Sequence, residues 1–121
     1  MDKTRSQILP EDLYNAIGTA GAPLVVDVRR PDDFEASEDQ IVGAIRRLPA
    51  AIDHWQRETP HDRGIAIYCR DGQQVSQSIA TALAKAGYDA FYLTGGITAW
   101  QELELPTRRR RGAAASKWVT R

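Results

Sequence analysis

The one cysteine among 121 residues, Cys69, stands directly after the apolar run Ile65-Ala66-Ile67-Tyr68 and before the polar stretch Arg70-Asp71-Gly72-Gln73-Gln74-Val75. A thiol at a strand end, followed by a glycine-bearing loop and then a helix, suits nucleophilic chemistry. Such a loop can aim several backbone N–H groups at one point, and the helix N-terminus adds partial positive charge. Both favour the thiolate, the reactive form of cysteine. The same donors would hold an anionic substrate, or the negative charge that develops during attack. Gly72 allows the tight backbone such a loop needs. A lone cysteine is more often a small buried hydrophobe, but the strand end, loop and helix start together outweigh that reading. His54 and His61 are the only histidines. Lying far apart with a single cysteine, they make no metal cluster; His61 reads as a solvated loop residue.

The elements that must position Cys69 are legible on either side. Leu24-Val25-Val26-Asp27-Val28, Ile65 to Tyr68 and Ala90-Phe91-Tyr92-Leu93 are short β-rich runs of the kind found in buried strands, and a further brief strand is expected near Ala44-Ile45. Pro10-Glu11-Asp12 opens a helix, with proline at its first position and acids near its positive end. Pro31 to Ala36 and Ala50 to Arg57 predict helices. Val75 to Ala86 predicts a longer one, with Val75, Ile79, Ala80, Leu83 and Ala86 sharing a face and Gly87 at its C-terminal end. Gly95-Gly96 turns into a last helix, Ile97 to Leu103, and Trp55 and Trp100 are expected to pack on the sheet. Strands separated by helices imply an α/β fold, a small, mostly parallel sheet flanked by helices on both faces. In such a sheet ligands bind outside the carboxyl ends of the strands, which is where Cys69 falls.

Four segments, in order and spacing, resemble the rhodanese-like sulfurtransferase family: "LVVDVRRPDDFEAS", "VGAI", "YCRDG" and "AGYDAFYLTGGITAW". The resemblance covers about residues 6 to 105. It implies a ping-pong sulfur transfer in which Cys69 takes the outer sulfur of thiosulfate or a persulfide donor and passes it to a thiol or cyanide acceptor, a protein thiol included. No metal or organic cofactor is implied. The loop amides of residues 70 to 75 would cradle the persulfide, and Arg70 would attract an anionic donor. Asp27 and Arg29 match the family's Asp-x-Arg element. Asp27 is expected to hold loops at the strand end, and Arg29 either to line the entrance or to form a scaffold ion pair.

The chain departs from the family pattern in two places. Ser37-Glu38-Asp39-Gln40 stands where many members have Gly-His, and Cys69 to Ser76 is one residue longer than the frequent Cys-x-x-Gly-x-Arg-Ser, without its arginine. Asp71 adds a negative charge that should weaken thiosulfate binding. The longer loop raises a rival, the Cys-x5-Arg loop of rhodanese-fold phosphatases and arsenate reductases. Its arginine would fall at Val75, so the guanidinium fork that clamps a tetrahedral oxyanion is missing. A third reading is a non-catalytic binding module on the same fold.

A net charge of zero conceals an asymmetry. Residues 107–121 hold six basic residues and no acid, leaving ten basic against sixteen acidic residues in 1–106. The body therefore carries about −6, which argues against nucleic acid as a partner. Residues 1–106 are expected to form the domain, and 107–121 a flexible basic tail able to touch something acidic, the body included. No apolar run spans a bilayer and the N-terminus has no apolar core of a signal peptide, so a cytoplasmic protein is expected. The single cysteine fits a reducing compartment.

Overall fold

A computed structural model describes residues 6–110 of the chain. Apolar side chains alternate along each central strand, and the alternation sends them into two separate cores. In β2 (Leu24–Asp27), β5 (Ile65–Tyr68) and β6 (Ala90–Leu93), the residues Val25, Ala66, Tyr68, Phe91 and Leu93 point to one face. There they meet Leu13 of α1 (Pro10–Ala16) and Ile97 and Trp100 of α5 (Gly96–Glu102). Val26, Ile65, Ile67 and Ala90 point to the other face. They pack against Trp55 of α3 (Ile52–Trp55) and Ile79, Ala80 and Leu83 of α4 (Gln74–Lys85). A sheet buried on both faces needs strands apolar on both faces, and β5 is buried at all four positions.

The sheet order is β1-β6-β5-β2-β4, all neighbours parallel, with β1 at Gln7–Ile8 and β4 at Ile45–Arg46. The doubly flanked, mostly parallel α/β architecture expected from the sequence is therefore present. The expected Ala50–Arg57 helix is instead a single α-turn between two 3-10 turns, Pro49–Ala51 and Gln56–Glu58. Two short strands escaped the sequence reading, β1 and β3 (Asp39–Ile41), because neither carries a run of β-formers.

The beginning of the basic segment also differs from expectation. Thr107–Arg109 form β7, antiparallel to β3, with Ile41 opposite Thr107 and Asp39 opposite Arg109. Beyond them Arg110 donates its backbone N–H to Glu38 O and its side chain to Ser37 O at 2.6 Å and Glu35 O at 3.1 Å. The reason is local complementarity, since Glu35 and Glu38 give the arginines acidic and carbonyl partners at the end of α2 (Pro31–Ala36). The rest of the expected tail, residues 111–121, lies outside the described residues.

Candidate active site

Cys69 follows the last residue of β5 at the carboxyl end of the sheet, between β2 and β6, and is 4% exposed. The chain leaves the strand in a loop clamped from behind by α5. The carbonyls of Cys69 and Arg70 accept the N–H groups of Ile97 and Thr98, both at 3.0 Å. A trans peptide points its N–H opposite its carbonyl, so the N–H groups of Arg70 and Asp71 face away from α5. This approach demands glycines on both sides. A Cβ on Gly96 would lie 2.5 Å from Cys69 O. One on Gly72, whose φ is +73°, would lie 2.5 Å from the backbone nitrogen of Gly95.

The loop then enters α4, the longest helix among the described residues, and Gln73 caps it with no side-chain hydrogen bond. The first N–H groups of the helix, those of Gln74, Val75 and Ser76, have no intrahelical acceptor to reach. They remain available to an anion at the positive end of the helix dipole. The expected amide cradle is incomplete at one point. Gln73 N–H donates to Asp71 Oδ1 at 3.2 Å, so that amide is engaged within the loop.

An open cavity of about 300 Å³ lies here, lined by Cys69, Arg70, Asp71, Gln73, Gln74 and Val75, and by Arg30 and Asp33 from across the sheet end. The expected loop residues are thus brought together, with Gly72 buried behind them. Three residues were missed. Arg30 and Asp33 arrive from the start of α2, which leaves the end of β2 beside β5; strand adjacency was the signal for them. Ser76 is fully buried and accepts a hydrogen bond from the Cys69 thiol at 3.1 Å. Its one-turn distance from the loop was the available clue.

Asp27 and Arg29 are buried beneath the cavity instead of lining it. Arg29, 1% exposed, donates through Nη2 to Asp27 Oδ2 at 2.8 Å and to Asp39 O at 3.0 Å. Of the two roles expected for Arg29, the structure places it in the scaffold ion pair. Burial works against its charge, but the Asp27 carboxylate outweighs it and holds the guanidinium above its usual range. Tyr68 donates its hydroxyl to Asp27 Oδ2 at 3.0 Å and accepts the Ile41 N–H at 3.2 Å. Burial first, and the Asp27 charge second, push its phenol far above the usual value. Arg46 closes the group, with Nη1 3.7 Å from Asp27 Oδ1. One carboxylate therefore fixes β2, β3, β4 and β5 together just below the nucleophile.

Residues 9–103 match the profile of the rhodanese-like domain. The chain belongs to the rhodanese-like family. It is 34% identical over 102 residues to the thiosulfate sulfurtransferase GlpE of Actinobacillus succinogenes, covering 84% of this chain and 88% of that protein. It is 31% identical over 101 residues to a sulfurtransferase of Allochromatium vinosum, covering 84% and 92%. Among solved structures, a rhodanese-related protein from Thermoplasma volcanium superposes with a TM-score of 0.74 at 27% identity, over 86% of this chain and 97% of that one. The rhodanese-like chain is thereby placed in a sulfurtransferase-like family. No helix among the described residues is long and apolar enough to cross a membrane, and no group of His, Cys, Asp and Glu among them is arranged to hold a metal.

Proposed function

We propose that this rhodanese-like domain moves sulfane sulfur through a persulfide on Cys69. The observation that carries the reading is the position of the chain's one thiol at the wall of the cavity, facing the uncapped start of α4. With thiosulfate, the Cys69 thiolate attacks the outer sulfur, a new S–S bond forms, and the old one breaks with its electron pair leaving on sulfite. The negative terminal sulfur then rests against the amides of the loop and of the first turn of α4. A nucleophilic acceptor, cyanide or a small or protein thiol, attacks that terminal sulfur and regenerates the Cys69 thiolate. Arg70, beside the thiol at the cavity rim, draws in the anionic donor. Phosphoryl or arsenate chemistry lacks support at the same site, because Val75 occupies the position where the loop would need a guanidinium.

Intact mass after exposure to thiosulfate, and separately to a glutathione persulfide, tests the reading. The expected result is a gain of one sulfur atom, reversed by cyanide or a thiol and absent in Cys69→Ser. No gain with either donor would overturn it in favour of a binding module.

A further inference from the structure

Four charged side chains line the cavity, and their charges cancel: Arg30 and Arg70 against Asp33 and Asp71. Their arrangement is more specific than the sum. The Arg70 guanidinium is bracketed by carboxylates from two different elements, with Nε 3.9 Å from Asp33 Oδ2 on α2 and Nη2 3.8 Å from Asp71 Oδ2 on the loop. Both distances exceed a hydrogen bond, so the pairs neutralise charge without engaging the guanidinium N–H groups. Each carboxylate also has its own anchor. Asp71 is oriented by the Gln73 N–H on its other oxygen, and Asp33 is held on the first turn of α2. The Arg70 main chain is pinned by Thr98, while its side chain is 63% exposed at the rim.

A dianion reaching Arg70 therefore meets two negative charges bracketing that cation. A donor that brings a positive charge of its own meets the reverse. We propose that Asp33 and Asp71, paired across Arg70, make this cavity select persulfide donors whose small carrier bears an ammonium group over doubly charged anions such as thiosulfate. The inference rests on the sulfur-transfer reading and names the substrate class for it. In the step, the Cys69 thiolate attacks the terminal sulfur of the protonated persulfide. The carrier's S–S bond breaks, the carrier leaves as its thiolate, and the proton stays on the transferred sulfur. The ammonium group lies against Asp33 and Asp71 while this occurs.

Two persulfides alike in length and sulfur chemistry separate charge from size: 2-aminoethyl persulfide and 2-carboxyethyl persulfide. The rate of sulfur gain at Cys69, read by intact mass, is compared for these and for thiosulfate in the wild type, Asp33→Asn, Asp71→Asn and the double variant. The wild type should prefer the amine carrier. Each single variant should lower the amine-to-carboxylate ratio about two- to fivefold, the range expected for exposed ion pairs, and should raise the rate with thiosulfate. The ratio should also shrink as salt is raised, because exposed charges are screened. A wild-type ratio at or below one, or a ratio unmoved by all three variants while every donor still loads Cys69, would overturn the selectivity and leave sulfur transfer standing. Absence of sulfur gain from all three donors would overturn both.

Discussion

At Cys69 the reactive atom has one side-chain partner among the described residues, the buried Ser76 hydroxyl at 3.1 Å. In the thiol form the sulfur donates to it. In the thiolate form only the serine has a proton to offer, so the hydroxyl turns to donate and the bond becomes charge-assisted. Such bonds contribute about 1.5–3 kcal/mol, and each 1.4 kcal/mol is about tenfold in rate. Ser76→Ala should therefore slow loading of Cys69 by roughly ten- to a hundredfold with every donor, charged or neutral, while the melting temperature barely moves. Equal rates in the variant and the wild type would show that the hydroxyl merely fills space. The uniform loss across donors distinguishes this residue from Asp33 and Asp71, whose replacement should reorder donors.

The elements meet at Asp27, and Tyr68 is the member of that group whose proton reports on it. Its phenol is displaced upwards by burial and by the Asp27 charge. A group with a raised folded value contributes its full stability below its unfolded value, about 10 for tyrosine, and loses it as pH rises above that point. Wild-type stability should thus decline from about pH 10 upwards as the unfolded chain releases a proton that the folded chain retains. Tyr68→Phe should cost about 1–3 kcal/mol at neutral pH, since Asp27 loses a donor and the Ile41 N–H an acceptor. Above pH 10 its decline should be shallower. Denaturant melts at pH 7 to 11 read both effects, and parallel curves for the two proteins would refute the coupling. The same elements show what the sequence could convey. Strands β2, β5 and β6 were readable because dense β-branched and aromatic runs leave no other way to bury both faces. Helix α4 was readable because its apolar spacing is unbroken from Val75 to Leu83. The 50–57 segment read as one helix but breaks into turns, since Pro49 and Pro60 confine it and its only buried anchor is Trp55. In the site, residues contiguous with Cys69 were found from spacing alone. Arg30 and Asp33 lie about forty residues upstream and join the cavity through the β2–β5 pairing, which periodicity does not reveal. For the same reason an expectation that admitted Arg29 at the entrance missed Arg30; pairing with Asp27 turns the first side chain inward and leaves the second at the rim.

Across the whole molecule, the charge asymmetry finds part of its purpose in a C-terminal strap that holds the cavity wall from outside. Trp100 Nε1 donates to Pro106 O at 2.9 Å, fixing where the strap leaves α5. Thr107–Arg109 pair with β3, Arg108 donates to Ala44 O, and Arg109 meets Glu38 at 3.2 Å. Arg110 ends over Phe34 of α2, its guanidinium 4.9 Å from the centre of a ring that Arg29 and Arg46 also approach, at 5.3 and 4.2 Å. That helix carries Asp33 into the cavity, so the strap bears on the site although no strap residue lines it. Two truncations separate the strap from whatever follows it. A chain ending after Arg110 keeps every strap contact and serves as the reference. Ending the chain after Pro106 removes the β3 ladder and the Arg110 contacts, several hydrogen bonds of about 0.5–1.5 kcal/mol each, and should destabilise the fold by about 2–4 kcal/mol. Donor selectivity should weaken at the same time, because α2 loses the clamp that keeps Asp33 opposite Arg70. If both truncated chains melt together and keep the same ratio between amine and carboxylate donors, the strap is an appendage and α2 is held by the sheet alone.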